Sequence, residues 1–183
     1  MRKNEAYSVE ITGLTAEGAG VARIDGQVVF VPGVIPGERC EIRIDHVGRT
    51  CAYGSLVRVE KTSEHRETPE CERFGHCGGC VFWHMDYACE LEQKRRRVQD
   101  ALSRIGGIDF PDLQITGSQS IYGYRNKVQF PVQSQNGKTI AGFYRAGSHT
   151  VIPITGCKIQ PESAEQIRAA VLSWMEKENV PAY

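Results

Sequence analysis

Residues 21–31, VARIDGQVVFV, set two short apolar runs on either side of Asp25-Gly26. Both central positions of a tight two-residue hairpin need positive φ, and an Asp-Gly pair meets that demand at low steric cost. The stretch therefore predicts strand, turn, strand. Upstream, YSVEITGL puts Tyr7, Val9 and Ile11 on one face and Ser8, Glu10 and Thr12 on the other, the period of a half-buried strand. Downstream, ERCEIRID turns Cys40, Ile42 and Ile44 one way and Arg39, Glu41, Arg43 and Asp45 the other, which makes Cys40 a core residue. These runs predict a barrel of about five strands, OB-like in size, over residues 1–62.

The 183 residues, 40% of them hydrophobic, suffice for one sizeable domain or two small ones. The start, MRKNEAYSVEITG, is charged but has no apolar run behind it. No stretch approaches the roughly 18 apolar residues of a membrane span. A soluble, cytoplasmic monomer without a membrane partner is expected.

Residues 71–80, CERFGHCGGC, pack three of the seven cysteines into ten positions. Without a secretory signal, clustered thiols point to metal or redox chemistry before disulfides, and their odd number counts against full pairing. Cys71, Cys77 and Cys80 have C-x5-C-x2-C spacing, and the next free candidate, Cys157, follows a gap of 76 residues. Structural zinc usually takes two short pairs, or cysteine with histidine. A [4Fe-4S] cluster offers four corners, so one loop can supply three thiolates and a remote strand end the fourth. Gly78 and Gly79 suit that reading by letting backbone N–H groups approach the sulfides. His76 and His84 keep zinc open as an alternative. The spacing matches neither the C-x3-C-x2-C loop of radical S-adenosylmethionine enzymes nor the C-x2-C-x2-C run of bacterial ferredoxins. Four available ligands point to a structural or slow redox role with no iron left open.

Residues 63–110 combine this loop with an amphipathic helix. Asp86 can cap it, Gly106-Gly107 can end it, and Tyr87, Leu91, Val98, Leu102 and Ile105 fall on one stripe. Cys89 lies one position off the stripe and reads as structural. The run Lys94, Arg95, Arg96, Arg97 reads first as a solvated face. Residues 111–183 resume strands: Val128, Phe130 and Val132 alternate with polar neighbours, Asn136-Gly137 marks a second hairpin, and HTVIPI leads to Cys157. A last helix follows, with Pro161 near its first position, a capping box from Ser163 to Gln166, and Ile167, Val171 and Trp174 on one face. The fold class is α+β: barrel, cluster-binding loop, helix and small α/β domain.

The zero formal net charge conceals an uneven distribution. From Leu113 to Pro161 there is no acid, against five bases: Arg125, Lys127, Lys138, Arg145 and Lys158. Tyr122, Tyr124, Phe130, Phe143 and Tyr144 are interleaved with them. Cations for phosphates beside flat rings for bases are the ingredients of a single-strand nucleic-acid surface, with Arg125, Lys127, Lys138 and Arg145 as candidate contacts. The competing reading is a solvated sheet face with ordinary core aromatics.

GLTAEGAGVARIDGQVVFVPGVIPGE, CERFGHCGGCVFWHMDY, YRNKVQFPV and GFYRAGSHTVIPITGCKIQ, in that order, resemble the N-terminal portion of bacterial 23S ribosomal RNA uridine-5-methyltransferases. The resemblance implies that residues 1–62 are a TRAM domain, a small RNA-binding barrel. It implies that Cys71, Cys77, Cys80 and Cys157 ligate a [4Fe-4S] cluster, and that YRNK opens an α/β domain that helps hold RNA. Such enzymes continue into a catalytic domain that binds S-adenosylmethionine and supplies the nucleophilic cysteine. None of its motifs is visible here: EGAGVARIDG lacks the third glycine of a dinucleotide fingerprint and leads into a strand. The chain therefore reads as a fragment, inactive alone and with no catalytic residue of its own. A stand-alone zinc- or cluster-bearing RNA-binding protein is the alternative.

Overall fold

In the computed structural model, which describes residues 1–182, six strands form one sheet: β1 (Ala6–Glu10), β2 (Gly13–Leu14), β3 (Ala19–Ile24), β4 (Gln27–Pro32), β5 (Arg39–Val47) and β6 (Cys51–Lys61). Their order is β1-β5-β6-β4-β3-β2. The two outermost strands are consecutive in the chain and only Ile11 and Thr12 separate them, so the sheet curls back towards itself. At that break Ile11 N–H donates to Glu38 O (2.9 Å) and Thr12 N–H to Val21 O (2.8 Å). The expectation of about five strands becomes six because the first alternating run is interrupted there.

The hairpin from β3 to β4 closes on Asp25 (φ 50°) and Gly26 (φ 81°), with Ile24 opposite Gln27. Inward residues of every strand except the short β2 meet in one core: Val9, Ala22, Ile24, Val29, Val31, Cys40, Ile42, Ile44 and Ala52, joined by Ile11 and Val34 from the connections. A Cβ at Gly20 would lie 2.2 Å from Val34 Cγ2, so only glycine lets β3 approach this core. β5 and β6 pair with register shifts between Arg39 and Cys40, Glu41 and Ile42, and Ile44 and His46, irregularities that bend strands and increase twist.

This sheet belongs to a first compact unit of Met1–Pro69 with Val81–Thr116. The unit also contains α1 (Tyr87–Asp100), which continues as a π-helical turn, Ala101–Ile105. Asp86 caps α1 by accepting from Cys89 N–H at 2.7 Å. The expected apolar stripe is not a buried one. Cys89 is the buried residue of α1, packed with Ile35 and Met85, whereas Val98 is exposed and Ile105 is 88% exposed. Lys94 pairs with Glu90, and Arg95 and Arg96 both pair with Glu92, so three of the four basic residues are paired along the helix itself, against two acids.

A second unit consists of Glu70–Cys80 and the chain from Gly117 onward. Its sheet, β7 (Val132–Gln135), β8 (Lys138–Tyr144) and β9 (Val151–Pro153), has that same order. Asn136 (φ 52°) and Gly137 (φ 76°) form the β7–β8 turn. The strand begins at Val132 and not at Val128, because Pro131 has no N–H to offer a ladder. α2 (Glu162–Lys177) packs on β8. Its N-cap is Pro161, without a side-chain cap bond. Ser163 therefore lies inside the first turn, and the expected capping box does not form. Ile167, Val171 and Trp174 are exposed while Met175 is buried, a second helix whose expected inner face lies outside.

Candidate metal centre and its surroundings

The second unit brings Cys71, Cys77, Cys80 and Cys157 together within one compact body. The loop that carries the first three is shaped by its own backbone. Phe74 N–H donates to Cys71 O (3.0 Å), and both His76 and Cys77 donate to Arg73 O (3.1 and 2.8 Å) around Gly75 at φ 78°. Gly79 N–H donates to Cys77 Sγ at 3.3 Å, the kind of contact that tunes a metal thiolate. Gly78 N–H donates to Tyr144 O (2.9 Å), and Cys77 pairs with Arg145 in an antiparallel bridge. A Cβ at Gly78 would lie 3.1 Å from Tyr144 O and 3.2 Å from Ala146 N. The loop thus meets the end of β8 closely, where a side chain would have to displace backbone by a few tenths of an ångström.

The remote cysteine is tied to the same place. Gly123 N–H donates to Lys158 O (3.0 Å) and Arg125 N–H to Ile159 O (2.9 Å), so residues 123–125 run alongside the segment that follows Cys157. Glu70, just before the loop, accepts from Tyr122 Oη (2.7 Å) and pairs with Lys158 Nζ (3.6 Å). The Arg125 guanidinium reaches back to Gly79 O at 3.4 Å.

All four cysteines are free thiols of intermediate exposure. Burial, with Cys157 and Cys77 adding to it and Arg125 opposing, pushes the Cys80 thiol up to about 11. Cys77 is raised by burial as well, then lowered by Gly79 N–H, with Cys157 and Cys71 adding to the rise. Thiols that impede one another's ionisation in this way need a cation to become thiolates together, and a soft metal supplies it. An all-sulfur donor set of half-buried thiols with a backbone N–H on one sulfur fits an iron–sulfur cluster. Among the described residues, no group of three His, Cys, Asp or Glu side chains is placed to hold a single metal ion. Of the two histidines of the zinc alternative, His76 lies in the cysteine loop, and His84 belongs to the first unit and is buried there with Nε2 3.3 Å from Val34 O.

The four candidate RNA contacts divide. Arg125 and Arg145 lie against the cysteine loop through Gly79 and Cys77. Lys138 begins β8 beside the hairpin turn, and Lys127 is exposed on the segment before β7. A cavity of about 580 Å³ opens next to the loop, with Gly78 and Gly79 on one side and Phe143, Tyr144, Arg145 and His149 on the other. The sequence reading missed His149, because a single histidine between polar residues carries no periodic signal. It becomes visible only where the turn after β8 sets its ring against Tyr144, with centroids 5.4 Å apart.

Residues 2–57 match the TRAM domain family. Over this segment the chain resembles a TRAM domain. The match covers the curled sheet through most of β6 and stops short of the cysteine loop. Over the whole chain the relatives are RNA methyltransferases. An uncharacterized RNA methyltransferase of Clostridium tetani is 40% identical over 183 residues, all of this chain and 40% of its own length. One from Bacillus cereus (strain ATCC 14579) is 37% identical over 184 residues, again all of this chain and 40% of its own. The chain thus spans about 40% of the length of the curated relatives it matches. Among solved structures, the Pyrococcus abyssi tRNA (uracil-54, C5)-methyltransferase in complex with S-adenosyl-L-homocysteine has the same fold over 94% of this chain and 37% of its own, with a TM-score of 0.66 at 22% identity. Over its whole length, then, the chain is homologous to RNA methyltransferases. Among the described residues no helix is long and apolar enough to cross a membrane.

Proposed function

We propose that this chain is the RNA-recognition and [4Fe-4S]-binding portion of an S-adenosylmethionine-dependent methyltransferase that forms 5-methyluridine in 23S ribosomal RNA. The observation that carries the reading is the meeting of Cys71, Cys77, Cys80 and Cys157 in one unit, on a chain whose start resembles a TRAM domain and which is homologous to RNA methyltransferases. In this reading the curled sheet of residues 1–62 is an OB-like barrel for RNA. Residues 63–110 supply the cysteine loop and an amphipathic helix, and residues 111–183 belong to a central α/β RNA-binding domain.

The four cysteines would hold the cluster, which supplies a rigid, fully ligated crosslink within the second unit. The chain's own residues do the rest. Gly79 N–H steadies the Cys77 sulfur, Arg125 offsets accumulated thiolate charge, and the Glu70–Lys158 pair joins the two ends of the ligand set. Arg125, Lys127, Lys138 and Arg145 take phosphates. The fragment is inactive alone, since the residues that bind S-adenosylmethionine and attack uracil lie in a further domain of the enzyme. The protein works as a cytoplasmic monomer.

The test is anaerobic purification of the chain with iron, acid-labile sulfide and zinc analysis, followed by titration with a single-stranded ribosomal RNA fragment at several salt concentrations. About four irons and four sulfides per chain, with RNA affinity falling as salt rises, are expected. Stoichiometric zinc without sulfide, or a chain that ignores RNA, would overturn the assignment.

A further inference from the structure

We infer that the cavity beside the cysteine loop is a nucleotide pocket, which receives one unstacked base of single-stranded RNA and holds the adjoining phosphate on Arg145. This rests on the RNA reading above and names where within the second unit a base is gripped. At about 580 Å³ the cavity falls within the roughly 300–1,000 Å³ of small-ligand sites.

Its walls have the chemistry of a nucleotide. Tyr144, 46% exposed, and His149 meet edge to face with centroids 5.4 Å apart at 64°, leaving a flat ring for a base to stack on. Phe143 is braced from the side by Phe130 at 5.4 Å. The exposed Arg145 supplies a planar cation with bidentate donors for a phosphate. No acid lines the cavity, and none occurs anywhere from Leu113 to Pro161. A ligand that is anionic and carries a flat ring satisfies all of these groups at once.

The pocket is preformed, which lowers the ordering cost of binding. Arg145 N–H donates to Thr150 O (2.9 Å), Ser148 N–H to Arg145 O (3.1 Å) and Thr150 N–H to Ser148 Oγ (3.2 Å), while Gly147 turns the chain at φ 69°. On the facing side Gly78 and Gly79 present backbone without side chains, and the Gly78 N–H bond to Tyr144 O fixes that side to the strand that bears the stacking ring. A base stacked in a duplex could not reach this ring, so the pocket selects unstacked nucleotides.

The test uses the full chain and a 12-nucleotide single-stranded RNA carrying one 2-aminopurine, whose fluorescence is quenched on stacking. The wild-type chain should quench the probe. Tyr144→Leu should bind roughly 5- to 150-fold more weakly, the range for loss of one base–aromatic stack, and lose the quench. Tyr144→Phe should keep both, and His149→Ala should lose part of each. The same sequence as a duplex should compete poorly. If the wild-type chain binds with salt-dependent affinity but Tyr144→Leu retains affinity and quench, or if the duplex competes equally, the pocket is wrong while the RNA reading stands. If the wild-type chain binds no RNA, both fall. Iron content and circular dichroism, unchanged in each variant, separate loss of the ring from loss of fold.

Discussion

Arg66→Met should cost the first unit about 3–4 kcal/mol at pH 7, and the loss should depend on pH. Glu38 is completely buried (0%). Its carboxylate accepts from Ile35 N–H (3.0 Å) and from Arg66 Nε and Nη2, the latter at 2.7 Å, while the same Nη2 donates to Gly33 O (2.9 Å). Burial pulls the Glu38 carboxyl up, but Arg66 and the Ile35 N–H outweigh it and hold the group below the usual carboxylate range. Without the guanidinium, burial outweighs the remaining Ile35 N–H bond, and the carboxyl takes a proton. At pH 7 that proton costs about 3.7 kcal/mol, from about 1.36 kcal/mol per pH unit above an ordinary value near 4.3. Breaking other buried pairs by removing one partner has cost about 3–5 kcal/mol. Near pH 4.5 the proton is almost free, and only the lost hydrogen bonds remain, at about 1 kcal/mol. The sign follows from the depressed carboxyl: its contribution is present above the unfolded pKa and fades as pH falls through the folded one, so the gap between wild type and variant widens with rising pH. Urea unfolding at both pH values, followed by Trp83 fluorescence in a Trp174→Phe background, reports on this unit. A loss under about 1 kcal/mol at pH 7, or one equal at the two pH values, would refute the reasoning. Glu38→Leu combined with Arg66→Met should recover much of the stability, because no buried charge is then left alone.

Three further outcomes are expected. Cys157→Ala, purified anaerobically, should lose iron and become sensitive to oxygen while Cys89→Ala keeps its full iron content; the reverse result would move the fourth ligand to the helix. Gly142→Ala should destabilise the second unit by at least about 2 kcal/mol, because its Cβ would fall 1.8 Å from Ile152 O on the neighbouring strand; amide exchange of β8 and β9 measures this, and unchanged protection contradicts it. Lys127→Glu with Lys138→Glu should flatten the dependence of log affinity for single-stranded RNA on log salt by about 1.4, at about 0.7 per phosphate contact; an unchanged slope removes both lysines from the interface.

What could be read in advance was whatever local chemistry dictates. Asp25-Gly26 and Asn136-Gly137 announce their hairpins because only such pairs tolerate two positive φ values, and both occur as expected. Cys40, Ile42 and Ile44 alternate inward because a strand admits only two faces, and all three are fully buried. Asp86 caps α1 through an oxygen that reaches three residues ahead. The failures arose where apolar periodicity was taken to mean burial. Ile167, Val171 and Trp174 share a helix face as spaced, yet they are exposed, with Ile167 at 65%, because α2 turns Met175 inward instead. Val98 and Ile105 repeat the error on α1 and its π-helical continuation. The Arg66–Glu38 pair was out of reach for another reason: 27 residues separate the partners, and only the folded connection between β4 and β5 makes a charge at Glu38 buried. At the candidate centre, three clustered thiols and one distant thiol were legible, whereas the Gly78–Tyr144 bond and the His149 ring depend on how the turn after β8 folds.

The second unit is discontinuous in sequence: Glu70–Cys80 belongs with residues synthesised after Gly117. This sets a timetable. Cys80 is made 77 residues ahead of Cys157, an interval of about 4–15 s at the roughly 5–20 residues per second of translation. The strands of the first sheet are complete before the loop is made and can pair during that interval. The loop, by contrast, waits with its thiols reduced and without Tyr144, Arg125 or Cys157 to lean on. Any assembly that involves all four cysteines is therefore a late event in the life of the chain, and an oxidant encountered during translation would find the early three thiols at their least protected.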